Sequence, residues 1–303
     1  MGKSLLALFF LLLFFDLRGQ IQTILISPKQ TDPLIRTIHS DHVAYIPSSV
    51  RLKNQLMLMI VGTGGSAKDL RPFDSTVASL GYHVISMDYN NSVVTTVCSE
   101  SKDSTCFDSF RQEIMFGTPV NALVGVDSVN SIYNRFFKLL SYLAKNNPQQ
   151  GWKQYMEMNQ IQWKNIVVAG HSQGAGHAAY LAKHFPVAKL LIFAGPQDYL
   201  NQYSSPAAWL SGKNITEPSK YFAFLHTNDP YVYTKQLTNC MTLMGKVNRD
   251  TMLVKPGKAV KSSSQILVTD IATSDPHGSM FDLRFQKVWK YMLQSGLNAS
   301  SKQ

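Results

Sequence analysis

Asn165-Ile166-Val167-Val168-Ala169-Gly170-His171-Ser172-Gln173-Gly174-Ala175-Gly176-His177-Ala178-Ala179-Tyr180-Leu181 is the stretch whose reading decides the fold. Its first five residues predict a buried strand, since a continuous apolar run suits a parallel strand covered on both faces. Ala175 to Leu181 predict a helix of mostly small residues. Between them, Gly170-His171-Ser172-Gln173-Gly174 must turn from strand to helix within a few residues. The glycines give room for so tight a bend. A serine at such a turn is held in a strained conformation with its hydroxyl projecting above the sheet. Ser172 is therefore the candidate nucleophile.

A serine hydroxyl attacks well only when a histidine takes its proton and an acid holds that histidine in place. Four histidines follow Ser172. His177 and His184 fall on the helix after the turn and are expected in packing. His226 ends the apolar run Tyr221-Phe222-Ala223-Phe224-Leu225. His277 lies in Ser274-Asp275-Pro276-His277-Gly278-Ser279, after the strand-like Ile266-Leu267-Val268. Open α/β sheets place their chemistry in loops at the carboxyl ends of strands, which selects His277 as general base. By the same rule Asp229, in the turn Thr227-Asn228-Asp229-Pro230, is the acid; Asp198, one strand earlier, is its competitor. Asp275 stands too close to His277 in sequence and is expected to shape its loop.

A developing oxyanion needs two backbone N–H donors. Gln173, directly after the nucleophile, supplies one. For the other, the apolar run Leu56 to Val61 leads straight into Gly62-Thr63-Gly64-Gly65-Ser66; Thr63 is the first choice and Gly64 the second. A phosphate-cradling loop is the rival, but no Gly-Lys-Ser/Thr ending follows.

Taken together, Gly-Thr-Gly-Gly after a strand, Gly-His-Ser-Gln-Gly at the turn, Asn-Asp-Pro and Asp-Pro-His-Gly resemble the α/β-hydrolase superfamily, from about Val43 to Leu293. The resemblance implies a mostly parallel central sheet with helices on both faces. It also implies the chain order serine, acid, histidine, met here by Ser172, Asp229 and His277, and a mechanism that needs no cofactor or metal. One departure is that Gly62-Thr63 stands where a His-Gly pair is common, which bears on the second oxyanion donor.

The composition fits a single large α/β domain: 303 residues, 45% hydrophobic and 16% charged, enough apolar content for a substantial core. Lys3 followed by the apolar run Leu5 to Phe15 has the form of a secretory leader ending near Gly19, with an uncleaved anchor as the alternative; the run is shorter than the about 20 residues that span a bilayer. Residues 20–303 are then the mature hydrolase domain, expected to be secreted or periplasmic. Cys98 and Cys106 bracket a polar loop and are expected to pair in an oxidising compartment, while Cys240, among Leu237, Met241 and Leu243, is expected as a buried free thiol. No Cys/His spacing resembles a zinc site.

The net charge of +10 favours weak association with anionic surfaces. The basic stretch Lys246 to Lys261, with Arg249, Lys255 and Lys258, lacks aromatic interleaving and reads as a solvated loop, so nucleic acid is not an expected partner. Asn90, Asn214 and Asn298 match the glycosylation acceptor pattern.

Strand and helix alternate on either side of Ser172, as βαβ units require. Strands are expected at Ile21 to Ser27, Val43 to Ile46 and Tyr82 to Met87. Helical stripes run through Leu70, Phe73, Val77 and Leu80, through Val129, Ile132, Phe136, Leu140 and Leu143, begun by Asp127 or Ser128, and through Phe281, Phe285, Val288 and Met292. Two segments, 92–126 and 197–220, break the alternation and are expected as lid or binding loops; Tyr199, Tyr203 and Trp209 either line a pocket or pack their loop onto the domain. The expected activity is hydrolysis of a small-molecule, lipid or polymer carboxylic ester. A non-catalytic binding module on the same scaffold, and a serine peptidase or acyltransferase, are the competing readings.

Overall fold

The computed structural model of the protein describes residues 21–47, 52–248, 250–261 and 263–295. The leader expected at residues 1–19, Arg249 and the acceptor pattern at Asn298 lie outside the described residues.

A nine-stranded sheet forms the centre, built from β1 (Gln22–Ile26), β2 (His42–Ile46), β3 (Leu56–Ile60), β4 (His83–Met87), β5 (Ile166–His171), β6 (Lys189–Phe193), β7 (Tyr221–His226), β8 (Thr251–Leu253) and β9 (Ile266–Thr269). Their order across the sheet is β1-β2-β4-β3-β5-β6-β7-β9-β8. β2 runs antiparallel to both neighbours, and every pairing from β4 to β8 is parallel. Every residue of β3, β4 and β6 is buried. Side chains alternate between the two faces of a strand, so helices and loops cover both.

α1 (Arg71–Ser79) and α6 (Gln286–Gln294) pack together. Phe73 meets Trp289 edge to face at 5.1 Å and Phe193 of β6 at 5.2 Å. α2 (Cys106–Phe116), α3 (Ile132–Asn146) and α4 (Gln173–His184) form a second group, and α5 (Tyr233–Met244) packs on β7. This order, with a sharp turn from β5 into α4, is the α/β-hydrolase fold. Among the described residues no helix is long and apolar enough to cross a membrane.

Register positions the site. Ile60 pairs with Gly170, Gly170 with Ile192, Ile192 with Ala223 and Ala223 with Ile266. The loops leaving β3, β5, β7 and β9 therefore emerge along one edge of the sheet.

Three expectations need correction. Residues 92–126 are not irregular throughout, for they contain α2, eleven residues long; its apolar stripe was masked because Arg111 and Glu113 are buried in it. α3 begins later than expected: Val129 precedes it, and Ser131 caps it by accepting the Asn134 N–H at 3.2 Å. Phe281 and Phe285 lie in single turns ahead of α6. The cysteines stand as expected, with Cys98 bonded to Cys106 and Cys240 free and buried.

Candidate active site

Ser172 sits at φ 56°, ψ −122°, a conformation that few non-glycine residues adopt. Two features hold it there. Its N–H donates to the Phe193 carbonyl at 2.9 Å, and α4 starts so close to β3 that a Cβ on Gly174 would lie 2.1 Å from the Ile60 carbonyl oxygen. Only glycine permits that approach.

Asp229, at the end of β7, and His277, in the loop after β9, meet: Asp229 Oδ2 accepts from His277 Nδ1 at 2.8 Å. The other carboxylate oxygen accepts the Tyr231 N–H at 2.8 Å. Burial alone would raise the Asp229 carboxyl, but the bond and charge of His277 and the Tyr231 N–H outweigh it and hold the group below the ordinary carboxylate range. Nδ1 is thereby committed to Asp229. Both residues line one cavity of about 480 Å³. Among the described residues the Ser172 hydroxyl has one hydrogen bond, a long one of 3.5 Å from Gln197 Nε2.

His171 supports the histidine loop. Its Nε2 donates to the His277 carbonyl at 3.0 Å, and the two rings lie 4.7 Å apart. Burial, helped by the neighbouring His277, pushes its pKa down to about 4, so His171 stays neutral and donates a fixed proton. Asp275 shapes the same loop as expected, through the Gly278 and Ser279 N–H groups.

Gln173 is the first residue of α4, at a helix N-terminus, which attracts negative charge. In the loop after β3, the Gly64 N–H donates to the Asn91 carbonyl at 3.1 Å. The Thr63 N–H has no acceptor among the described residues. Asn91 anchors the loop further, donating through Nδ2 to the Gly62 and Gly65 carbonyls at 2.9 and 2.8 Å. The Gln173 side chain is a strut: Oε1 accepts from Thr63 Oγ1 at 2.8 Å and from the Thr95 N–H at 2.9 Å. Sequence reasoning used only its backbone.

The competitor Asp198 is committed elsewhere. It is fully buried and takes Arg111 in a fork, Nη2–Oδ1 2.6 Å and Nε–Oδ2 3.1 Å, with Trp209 Nε1 adding a bond of 2.9 Å. Arg111 Nη1 also donates to the Gln173 carbonyl at 2.7 Å. A Cβ on Gly176 would lie 2.1 Å from Arg111 Nη2. Glycine inside a helix costs about 1 kcal/mol relative to alanine, so Gly176 in an alanine-rich helix was the one signal that something large packs there.

Of the two roles open to Tyr199, Tyr203 and Trp209, their contacts fit loop packing. Trp209 is bound to Asp198, the Tyr203 hydroxyl donates to the Lys102 carbonyl, and the Tyr199 ring lies under Lys235. The aromatic that lines the cavity is Tyr231, its ring 4.5 Å from that of His277. The remaining histidines are structural: His177 is buried against Tyr89, His184 bonds the Tyr180 carbonyl and His226 the Ile271 carbonyl. Among the described residues no three His, Cys, Asp or Glu side chains converge as a metal site would require.

No family model matches this chain, and no curated protein matches it in sequence. Among solved structures it is similar to a bacterial heroin esterase, at 15% identity and a TM-score of 0.46, over 90% of this chain and 82% of the other. It is similar to a thermophilic esterase of the planctomycete Thermogutta terrifontis, at 13% identity and 0.46, over 93% and 95%. It is also similar to an acylaminoacyl peptidase of Pyrococcus horikoshii, at 10% identity and 0.47, over 92% of this chain but 42% of that longer one.

Proposed function

We propose that this protein is an exported serine hydrolase that cleaves carboxylic esters through an acyl-enzyme. The observation that carries the reading is a strained serine turn facing, across one cavity, an imidazole held 2.8 Å from a buried carboxylate. Ser172 Oγ attacks the ester carbon as its proton passes to His277 Nε2, and Asp229 steadies the imidazolium. The oxyanion takes hydrogen bonds from the Gln173 and Thr63 N–H groups. Collapse breaks the bond to the alcohol oxygen, which leaves with the proton from Nε2. Water, activated by the same nitrogen, then releases the acid. These steps need no cofactor.

The Cys98–Cys106 disulfide favours an oxidising compartment, in keeping with the leader pattern of residues 1–19. The substrate is a small-molecule, lipid or polymer ester, and the net charge of +10 favours contact with anionic surfaces. A fluorophosphonate probe tests the reading. It should label the wild-type protein and spare Ser172→Ala, which should also lose ester turnover. Equal labelling and turnover in the two proteins would reject it.

A further inference from the structure

Tyr231 combines an exposed aromatic ring with a strained neighbour. The residue is 47% exposed, yet its ring lies over His277 at a centroid distance of 4.5 Å and a tilt of 53°, at the cavity wall. Its backbone is tied to the acid through the N–H bond to Asp229 Oδ1. The next residue, Val232, stands at φ 61°, ψ 82°, a left-handed conformation that a β-branched side chain avoids. Val232 is itself exposed, so burial does not explain the strain. Val232 stands directly between Tyr231 and the start of α5, and strain of this kind clusters at functional sites.

We propose that Tyr231 is the wall of the leaving-group subsite and selects esters whose alcohol carries an aromatic ring; the inference rests on the ester-hydrolase reading above. During acylation the departing oxygen must come within about 3 Å of His277 Nε2 to receive its proton. The alcohol portion therefore passes beside the imidazole. One side of that ring is closed by His171, whose own ring is 4.7 Å away and whose Nε2 is bonded to the His277 carbonyl. Tyr231 covers another side and borders solvent. An alcohol of more than a few atoms meets the Tyr231 ring on its way out. Aromatic rings pack favourably at centroid separations of about 4.5–7 Å in offset or edge-to-face geometry, so a benzyl-type alcohol gains there what a short alkyl alcohol does not.

The test compares wild type, Tyr231→Ala and Tyr231→Phe on the benzyl and ethyl esters of one acid, whose alcohols have similar acidity. The benzyl-to-ethyl ratio of kcat/KM should favour benzyl in wild type, fall about tenfold in Tyr231→Ala and survive in Tyr231→Phe. Both esters form the same acyl-enzyme, so the loss should lie in acylation, while hydrolysis of that intermediate keeps its wild-type rate. Equal losses on both esters, or slowed hydrolysis of the intermediate, would overturn the proposal by assigning the ring to support of His277. A wild type that labels at Ser172 but shows no benzyl preference overturns it and leaves the ester-hydrolase reading standing. Failure to label at Ser172 removes that reading itself.

Discussion

Asp198→Asn leaves the Arg111 guanidinium without its counter-charge where solvent does not reach. Both side chains are fully buried, and the fork of 2.6 and 3.1 Å is completed by Trp209. Removing one partner of such a pair costs about 3–5 kcal/mol, because the surviving charge stays buried and unpaired. For a chain of this length each kcal/mol moves the melting midpoint by about 2 °C, so Asp198→Asn should melt about 6–10 °C below wild type. Asp229→Asn should behave differently. An amide at that position no longer stabilises the imidazolium and favours the wrong ring tautomer, with an expected loss of about 10³–10⁴ in kcat. Its melting midpoint should fall by less than that of Asp198→Asn. Thermal unfolding and ester turnover of the two variants, measured side by side at a temperature where both are folded, check the contrast. If Asp198→Asn melts within about 2 °C of wild type and loses turnover as deeply as Asp229→Asn, both the ion-pair argument and the choice of acid are wrong.

Stability should also depend on acid. Burial, aided by the charges of Arg135 and His277 respectively, holds His42 at a pKa of about 3 and His171 at about 4, against about 6.5 for an unfolded imidazole. Between those values the unfolded chain binds more protons than the folded one, so stability should hold above about pH 6.5 and fall as the pH drops toward 4; a urea midpoint that stays flat across this window would contradict it. Gly174→Ala would force a methyl group to within 2.1 Å of the Ile60 carbonyl oxygen and 2.5 Å of that of Val61. Overpacking against backbone should destabilise by about 1–3 kcal/mol and slow fluorophosphonate labelling as the serine turn shifts; unchanged melting and labelling would show that the close approach is not needed.

The central strands were legible because parallel strands buried on both faces carry uninterrupted apolar runs, as in Leu56 to Val61 and Tyr221 to Leu225. Once those strands pair, their register alone brings the loops of Thr63, Ser172, Asp229 and His277 to one edge. What stayed hidden depends on partners distant in the chain. α2 is hard to read from sequence because it buries two charged residues, Arg111 and Glu113, which break the apolar period. Their partners, Asp198 for one and the Val120, Asn121 and Val126 N–H groups for the other, leave no trace in local pattern. Nothing local distinguishes Thr63 from Gly64; they differ through Asn91, whose carbonyl occupies the Gly64 amide. Aromatic content left Tyr203 and Trp209 open to lining a pocket or packing their loop, and their polar tips are bonded to the Lys102 carbonyl and to buried Asp198. Tyr231, just past the Asn-Asp-Pro turn, held the place instead.

Arg111 comes from the first of the two insertions in the β–α alternation and Asp198 from the second, and each arrives carrying half of a neutral couple. Anyone reshaping the pocket by loop grafting inherits that constraint. A foreign segment exchanged for 92–126 alone would strand an anion under the serine helix, and one exchanged for 197–220 alone would strand a cation. Libraries that diversify the two insertions separately should yield few folded clones, whereas those that transplant them as a matched set keep the interior electrically silent.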